Sequence, residues 1–145
     1  MAIPPSILHI DAEPLARTML ARAFALGHMP GVLQSLSSAS NALLYLNGLG
    51  PFKGFPRPIL IMLDLDLPLF DGADFLPMLK ANPRFKSIRT CILMTNLTEQ
   101  GIERCRAMGA DGFRPKPHSE EEAMEMMGWI KAWLLESLGD PSPGG

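Results

Sequence analysis

The chain has little cysteine, few aromatic residues and no strong charge of either sign. Two cysteines in 145 residues, Cys91 and Cys105, stand without paired spacing. That excludes a disulfide scaffold and points to a reducing compartment. The formal net charge is -2 and the basic residues are scattered, so the sequence carries no nucleic-acid footprint. Met1-Ala2-Ile3-Pro4-Pro5 has neither the basic start nor the apolar core of an export signal. No apolar run approaches membrane-spanning length. The expectation is a cytoplasmic protein with no membrane contact. A glycine-rich phosphate loop is also missing. Asp11-Ala12-Glu13-Pro14 follows the first apolar run, which argues against a nucleotide or flavin site there.

What is present is enough apolar residue, 47% of the chain, for one domain with a real core. The most informative stretch is Ile59-Leu60-Ile61-Met62-Leu63-Asp64. Six residues with no polar alternation, ending on an acid, predict a strand buried on both faces. Other short apolar runs predict strands at Ile7–Asp11, Val32–Leu36, Ile88–Met94 and Gly112–Arg114. Helical spacing predicts helices at Leu15–Leu26, with Pro14 in the first turn, and at Ala39–Leu46, capped by Ser38. Two more fall at Gly72–Ala81, with Pro77 inside, and at Thr98–Met108, stopped by Gly109. A last one runs from a Ser119/Glu122 capping box to about Leu138. Strict alternation of five strands and five helices predicts an α/β fold, a doubly wound five-stranded parallel sheet covered on both faces. The folded unit is placed at 6–138, followed by a Pro/Gly/Ser-rich, flexible tail over 139–145.

In such a sheet every strand's carboxyl end lies on one edge, where open α/β folds place their chemistry. Asp11, Asp64, Thr95 and Lys116 all fall at strand ends. Two carboxylates, a hydroxyl and an ammonium suit Mg2+ and a phosphoryl group, because Mg2+ prefers oxygen ligands and phosphoryl transfer needs mainly positioning and charge neutralisation.

With Asp64-Leu65-Asp66-Leu67-Pro68, Asp71-Gly72, Met94-Thr95, Gly109-Ala110 and Lys116-Pro117 in this order and spacing, the chain resembles a response-regulator receiver domain of the CheY-like family. The loop before the third strand and Asn82-Pro83-Arg84-Phe85 further resemble the single-domain regulators associated with bacterial phytochrome kinases. The resemblance implies a flavodoxin-like sheet of order 2-1-3-4-5. It implies Asp64 as phosphoacceptor, Thr95 as the hydroxyl that bonds the phosphoryl oxygen, and Lys116 as its cationic partner. It also implies a cis Lys116–Pro117 bond, Phe113 at the switch aromatic, and Mg2+ held by Asp11, Asp64 and the carbonyl of Asp66. The protein would then be a two-component phosphorelay component rather than an enzyme, with at most self-phosphorylation and self-dephosphorylation. A sensor histidine kinase would be its partner.

One departure bears on the metal. The family has two adjacent acids after the first strand, and this chain reads Asp11-Ala12. Ala12 cannot ligate Mg2+, and ligand charge count tunes affinity, so the site should be weakened unless Asp66 or Glu13 reaches the ion. Two readings follow. Asp64 accepts a phosphoryl group, or the chain is a pseudo-receiver acting by binding alone.

The last helix carries two apolar stripes. Met127, Ile130, Leu134 and Leu138 suit packing on the sheet, while Met126, Trp129 and Trp133 read either as a widened core face or as a partner surface. The expectation is a homodimer through the face formed by the fourth helix, fifth strand and fifth helix. No output domain is expected after the last helix, and signalling is expected through protein contacts. His9, His28 and His118 have no metal spacing and are read as satisfied or exposed, and Phe113 alone reads as a core aromatic.

Overall fold

The structure is a computed structural model that describes residues 4–65 and 72–139. Asp66, Pro68 and Asp71, and the tail beyond Gly139, lie outside the described residues.

Five strands form one sheet: β1 (Ser6–Ile10), β2 (Val32–Leu36), β3 (Pro58–Asp64), β4 (Arg89–Met94) and β5 (Gly112–Pro115). Their order is β2-β1-β3-β4-β5, and every pairing is parallel. The helices between them are α1 (Pro14–Leu26), α2 (Ala39–Leu46), α3 (Gly72–Ala81), α4 (Glu99–Ala107) and α5 (Glu120–Gly139). The doubly wound, flavodoxin-like fold expected from the sequence is the fold observed.

Local chemistry sets the helix ends. Ser38 Oγ accepts from the Asn41 amide and Thr98 Oγ1 from the Gly101 amide, each satisfying an orphan first-turn donor. Ser119 Oγ accepts from the Glu122 amide while Glu122 Oε1 accepts from the His118 amide. The reciprocal pair of a capping box is therefore formed, with the carboxylate reaching one residue further back than usual. Gly109 ends α4 at φ 104°, a backbone state that any side chain would strain.

The pleat divides the core in two. Ile7, Leu60, Met62, Cys91 and Leu93 face a layer made by Leu20, Ala23 and Phe24 of α1 and by Ala123, Met127 and Ile130 of α5. Leu8, Ile10, Ile61, Leu63 and Ile92 face Phe75, Leu76 and Leu79 of α3 and Cys105 of α4. Leu60–Leu63 are fully buried, as the unbroken apolar run requires. The expected loop between α2 and β3 holds a short 3-10 turn, Gly50–Phe52. Tyr45, Phe52 and Phe55 cluster there, Phe55 edge-on to the other two rings, and the Tyr45 hydroxyl bonds both Ser6 Oγ and the Pro56 carbonyl.

One assignment changes. Met126 is 2% exposed and belongs to the α1–α5 core, so it is not part of a partner surface. The inward arc of α5 is wider than one stripe because the helix meets both the sheet and α1. Met126 is therefore part of a widened core face, while Trp129 stays 36% exposed and Trp133 half-buried.

Candidate phosphoacceptor site

Asp11 follows the last residue of β1, Asp64 ends β3, Thr95 follows β4 and Lys116 follows β5. Main-chain pairing continues past the strand ends and fixes two of them. The Asp11 amide donates to the Leu36 carbonyl at 3.0 Å, and the Lys116 amide to the Met94 carbonyl at 2.8 Å. The four residues that the sequence places on one edge are thus brought to it.

Lys116 is the centre of the cluster. Its Nζ lies 3.0 Å from Asp64 Oδ2, 3.3 and 3.2 Å from the two carboxylate oxygens of Asp11, and 3.6 Å from Glu13 Oε2. Asp11 and Asp64 are buried, and the Lys116 side chain is 12% exposed. Two carboxylates this close and this dry would repel strongly without the ammonium between them. Asp11 is held further by its own turn: Oδ1 accepts from the Glu13 amide at 2.9 Å, and its carbonyl accepts from Arg17 Nη1 at 2.7 Å. Burial by itself would raise the Asp11 pKa. His9, the Glu13 amide and Lys116 outweigh it and hold the carboxyl at about 2. For Lys116 burial pulls downward, but Asp64 and Asp11 win and raise it above the ordinary lysine value.

Thr95 is exposed and lines a cleft of about 610 Å³ together with Glu13, Lys116 and Pro117. Phe113 is half-buried against the α3–α4 core, with the Arg106 guanidinium 5.5 Å over its ring. The Lys116–Pro117 peptide is trans, not the cis form that the resemblance implies; trans is also the inherently lower form of such a bond. Asp66, expected to offer a carbonyl to the metal, lies outside the described residues.

Among the described residues no three carboxylate, imidazole or thiolate groups enclose a cation. The donors fit a looser arrangement. Asp11 Oδ2 is buried and in ion-pair range of Lys116 without hydrogen-bond geometry to any group. With Asp64 alongside, this suits Mg2+, which binds through one or two carboxylates and takes its other ligands from water and phosphate.

Sequence reasoning missed His9. It is fully buried in β1, and its Nε2 lies 3.5 Å from Asp11 Oδ2. The signal was available, since residues two apart on a strand point the same way, and a polar residue in an otherwise apolar strand must face something.

Response regulator Rcp1 of Synechocystis sp. is 30% identical over 101 residues, which is 70% of this chain and 69% of that protein. The chain belongs to the response-regulator receiver family. No family model matches it. The probable methanogenesis regulatory protein FilR2 of Methanothrix harundinacea is 27% identical over 97% of this receiver and 90% of its own length. Among solved structures, the Mn2+-bound form of Rcp1 superposes with a TM-score of 0.81 at 25% identity, over 96% of this receiver and all of that chain. The phosphorylated cyanobacterial phytochrome response regulator RcpA gives 0.83 at 24% identity, over 97% of this receiver and all of that chain. No described helix of the receiver is long and apolar enough to cross a membrane.

Proposed function

We propose that this receiver takes a phosphoryl group on Asp64 from a sensor histidine kinase and signals through protein contacts, without being an enzyme in its own right. The observation that supports this best is Lys116 Nζ at 3.0 Å from Asp64 Oδ2, on the sheet edge shared with Asp11 and Thr95. In the transfer, a carboxylate oxygen of Asp64 attacks phosphorus and forms the O–P bond of an acyl phosphate. The N–P bond to the kinase histidine breaks, and the imidazole leaves with the electron pair. Lys116 is placed to neutralise charge on the incoming phosphoryl oxygens, and Thr95, on the rim of the cleft, to donate to one of them. A divalent cation held by Asp11, Asp64 and the Asp66 carbonyl would add further charge neutralisation. RcpA is by name a cyanobacterial phytochrome response regulator, which favours a phytochrome-linked kinase as donor.

Incubation with acetyl phosphate and Mg2+ tests this. A mass gain of one phosphoryl group, lost in Asp64→Asn, supports the reading. No gain, with no response to beryllofluoride, sinks it and leaves the pseudo-receiver. That second reading draws on Ala12, which leaves Lys116 facing Asp11 and Asp64 without the family's extra acid.

Signal output is assigned to packing. Phe113 has no hydroxyl, so inward movement of the ring behind Thr95 is the change a partner would read. Self-association is assigned to Trp129 and Trp133, without Met126. Their rings stack at 5.2 Å, with Arg114 over one and Arg89 over the other. Light scattering tests it: a dimer that Trp133→Asp dissociates supports the assignment, and a strict monomer at high concentration refutes it.

A further inference from the structure

The buried histidine of β1 has no role in the transfer described above, yet it is the least compensated polar group among the described residues. His9 is fully buried, and neither ring nitrogen has a hydrogen-bond partner. Burying a polar group without a partner is costly, so an imidazole in this position needs a reason to be there. Its surroundings are largely apolar: at this level β1 neighbours Met62 of β3 and the exposed Ser35 of β2, and Leu20, Leu60 and Leu93 fill the same layer. The charged group beside it is Asp11, two residues on and on the same face of the strand, with Oδ2 at 3.5 Å from His9 Nε2. Asp11 Oδ2 is itself buried and without a hydrogen bond. Nε2, able to donate, and Oδ2, able only to accept and otherwise met only by the Lys116 ammonium at 3.2 Å, face each other a few tenths of an ångström beyond ideal contact.

We infer that His9 is a positioning residue for Asp11, its Nε2–H donating to Oδ2 and fixing the carboxylate in the orientation from which it meets Lys116 and a divalent cation. An N–H on Nε2 gives that nitrogen and Oδ2 a partner each. The contact tightens when the site is loaded, as apo geometries of working sites commonly do. The role suits this chain in particular. With Ala12 in place of a second acid, Asp11 is the main β1 carboxylate left to hold the cation, and its orientation matters more than in a site with two. Outer partners of a metal ligand are typically worth 10–100-fold in affinity. The inference rests on the proposed phosphoacceptor reading for its purpose, but not for its test.

The test uses Mn2+ alone as probe, titrated into the full chain by calorimetry, with thermal melting and histidine ring spectra of nitrogen-labelled protein alongside. The expected result is a His9 ring in the Nε2–H form and about tenfold weaker Mn2+ binding in His9→Leu. His9→Gln, which keeps a donor near the same place, should return most of that affinity. His9→Met replaces the leucine variant if the latter does not fold. A merely structural histidine would change melting and leave the order of Mn2+ affinities flat. Equal affinity in wild type and the apolar variant overturns the inference. So does an equally weak glutamine variant, or a wild-type chain that binds no Mn2+. If Mn2+ affinities follow the expected order while Asp64 takes no phosphoryl group, the functional reading fails and His9 keeps its role. If Asp64 is phosphorylated while the affinities are flat, the reverse holds.

Discussion

The Trp133 ring lies 3.0 Å from the point where a Cβ on Gly112 would stand. The glycine opens β5, and its missing side chain lets the indole sit on the strand itself. Trp129 packs against that indole and Arg89 lies over it, so it has little freedom to withdraw.

Gly112→Ala is therefore expected to destabilise. Overpacking costs about 1–3 kcal/mol, and the gain from a stiffer unfolded chain returns at most about 1. A melting temperature lower by a few degrees, with weaker near-ultraviolet tryptophan dichroism, checks it. An unchanged melt would mean that the indole moves away without cost.

Acid stability should follow Asp11. Its carboxyl titrates at about 2 in the folded chain, against an ordinary 3.8. A lowered value means stabilisation that is complete above the unfolded value and lost as pH falls through the folded one, here from about 4 down to 2. The amount is roughly 2 kcal/mol. Lys116 is raised, so its contribution is present below the ordinary lysine value and lost only as pH climbs beyond it. Urea midpoints should be level across the neutral range with respect to these two groups, then fall below pH 4. In Asp11→Asn that portion of the fall should vanish.

Ala12→Asp should tighten Mg2+ by about a decade or more, since ligand charge sets affinity over several decades. Glu13→Gln should matter less, because the carboxylate is largely exposed and reaches Lys116 only at 3.6 Å. Calorimetric titration of the two variants checks the order. Equal effects would make Glu13 a ligand of the same standing as the missing acid.

Neither cysteine should react in the native state. Burial pushes the Cys91 thiol up to about 12 and raises Cys105 as well, and both are buried. Thiolate is the reactive form, so alkylation near pH 8 should wait for unfolding. Fast native labelling at Cys105 would show that α4 opens locally.

Much of this was legible in the sequence, and the exceptions have identifiable causes. Ala39–Leu46 and Gly72–Ala81 form helices with the bounds their caps and spacing predict, and Asp64 ends the strand its apolar run announces. These features depend on neighbours in sequence. Met126 depends instead on where α1 lies against α5, which periodicity does not report. The cis form before Pro117 came from the resemblance alone, and the trans bond observed is the one its own two residues favour. His9 was readable in principle, because strand alternation already put it beside Asp11, but only the structure shows that neither ring nitrogen has a hydrogen-bond partner.

The burial of β3 has a consequence for time as well as shape. Leu60–Leu63 sit between β1 and β4 with no exposed surface. Their amides should exchange with solvent hydrogen only when the whole domain opens, whereas the four-residue edge strand β5 can open by itself. Asp64 is thus anchored to the slowest-opening part of the molecule, while Phe113 and Lys116 belong to or adjoin a faster one. A chemical event at Asp64 would be written on a static platform and read out by segments that relax many times before that platform opens once.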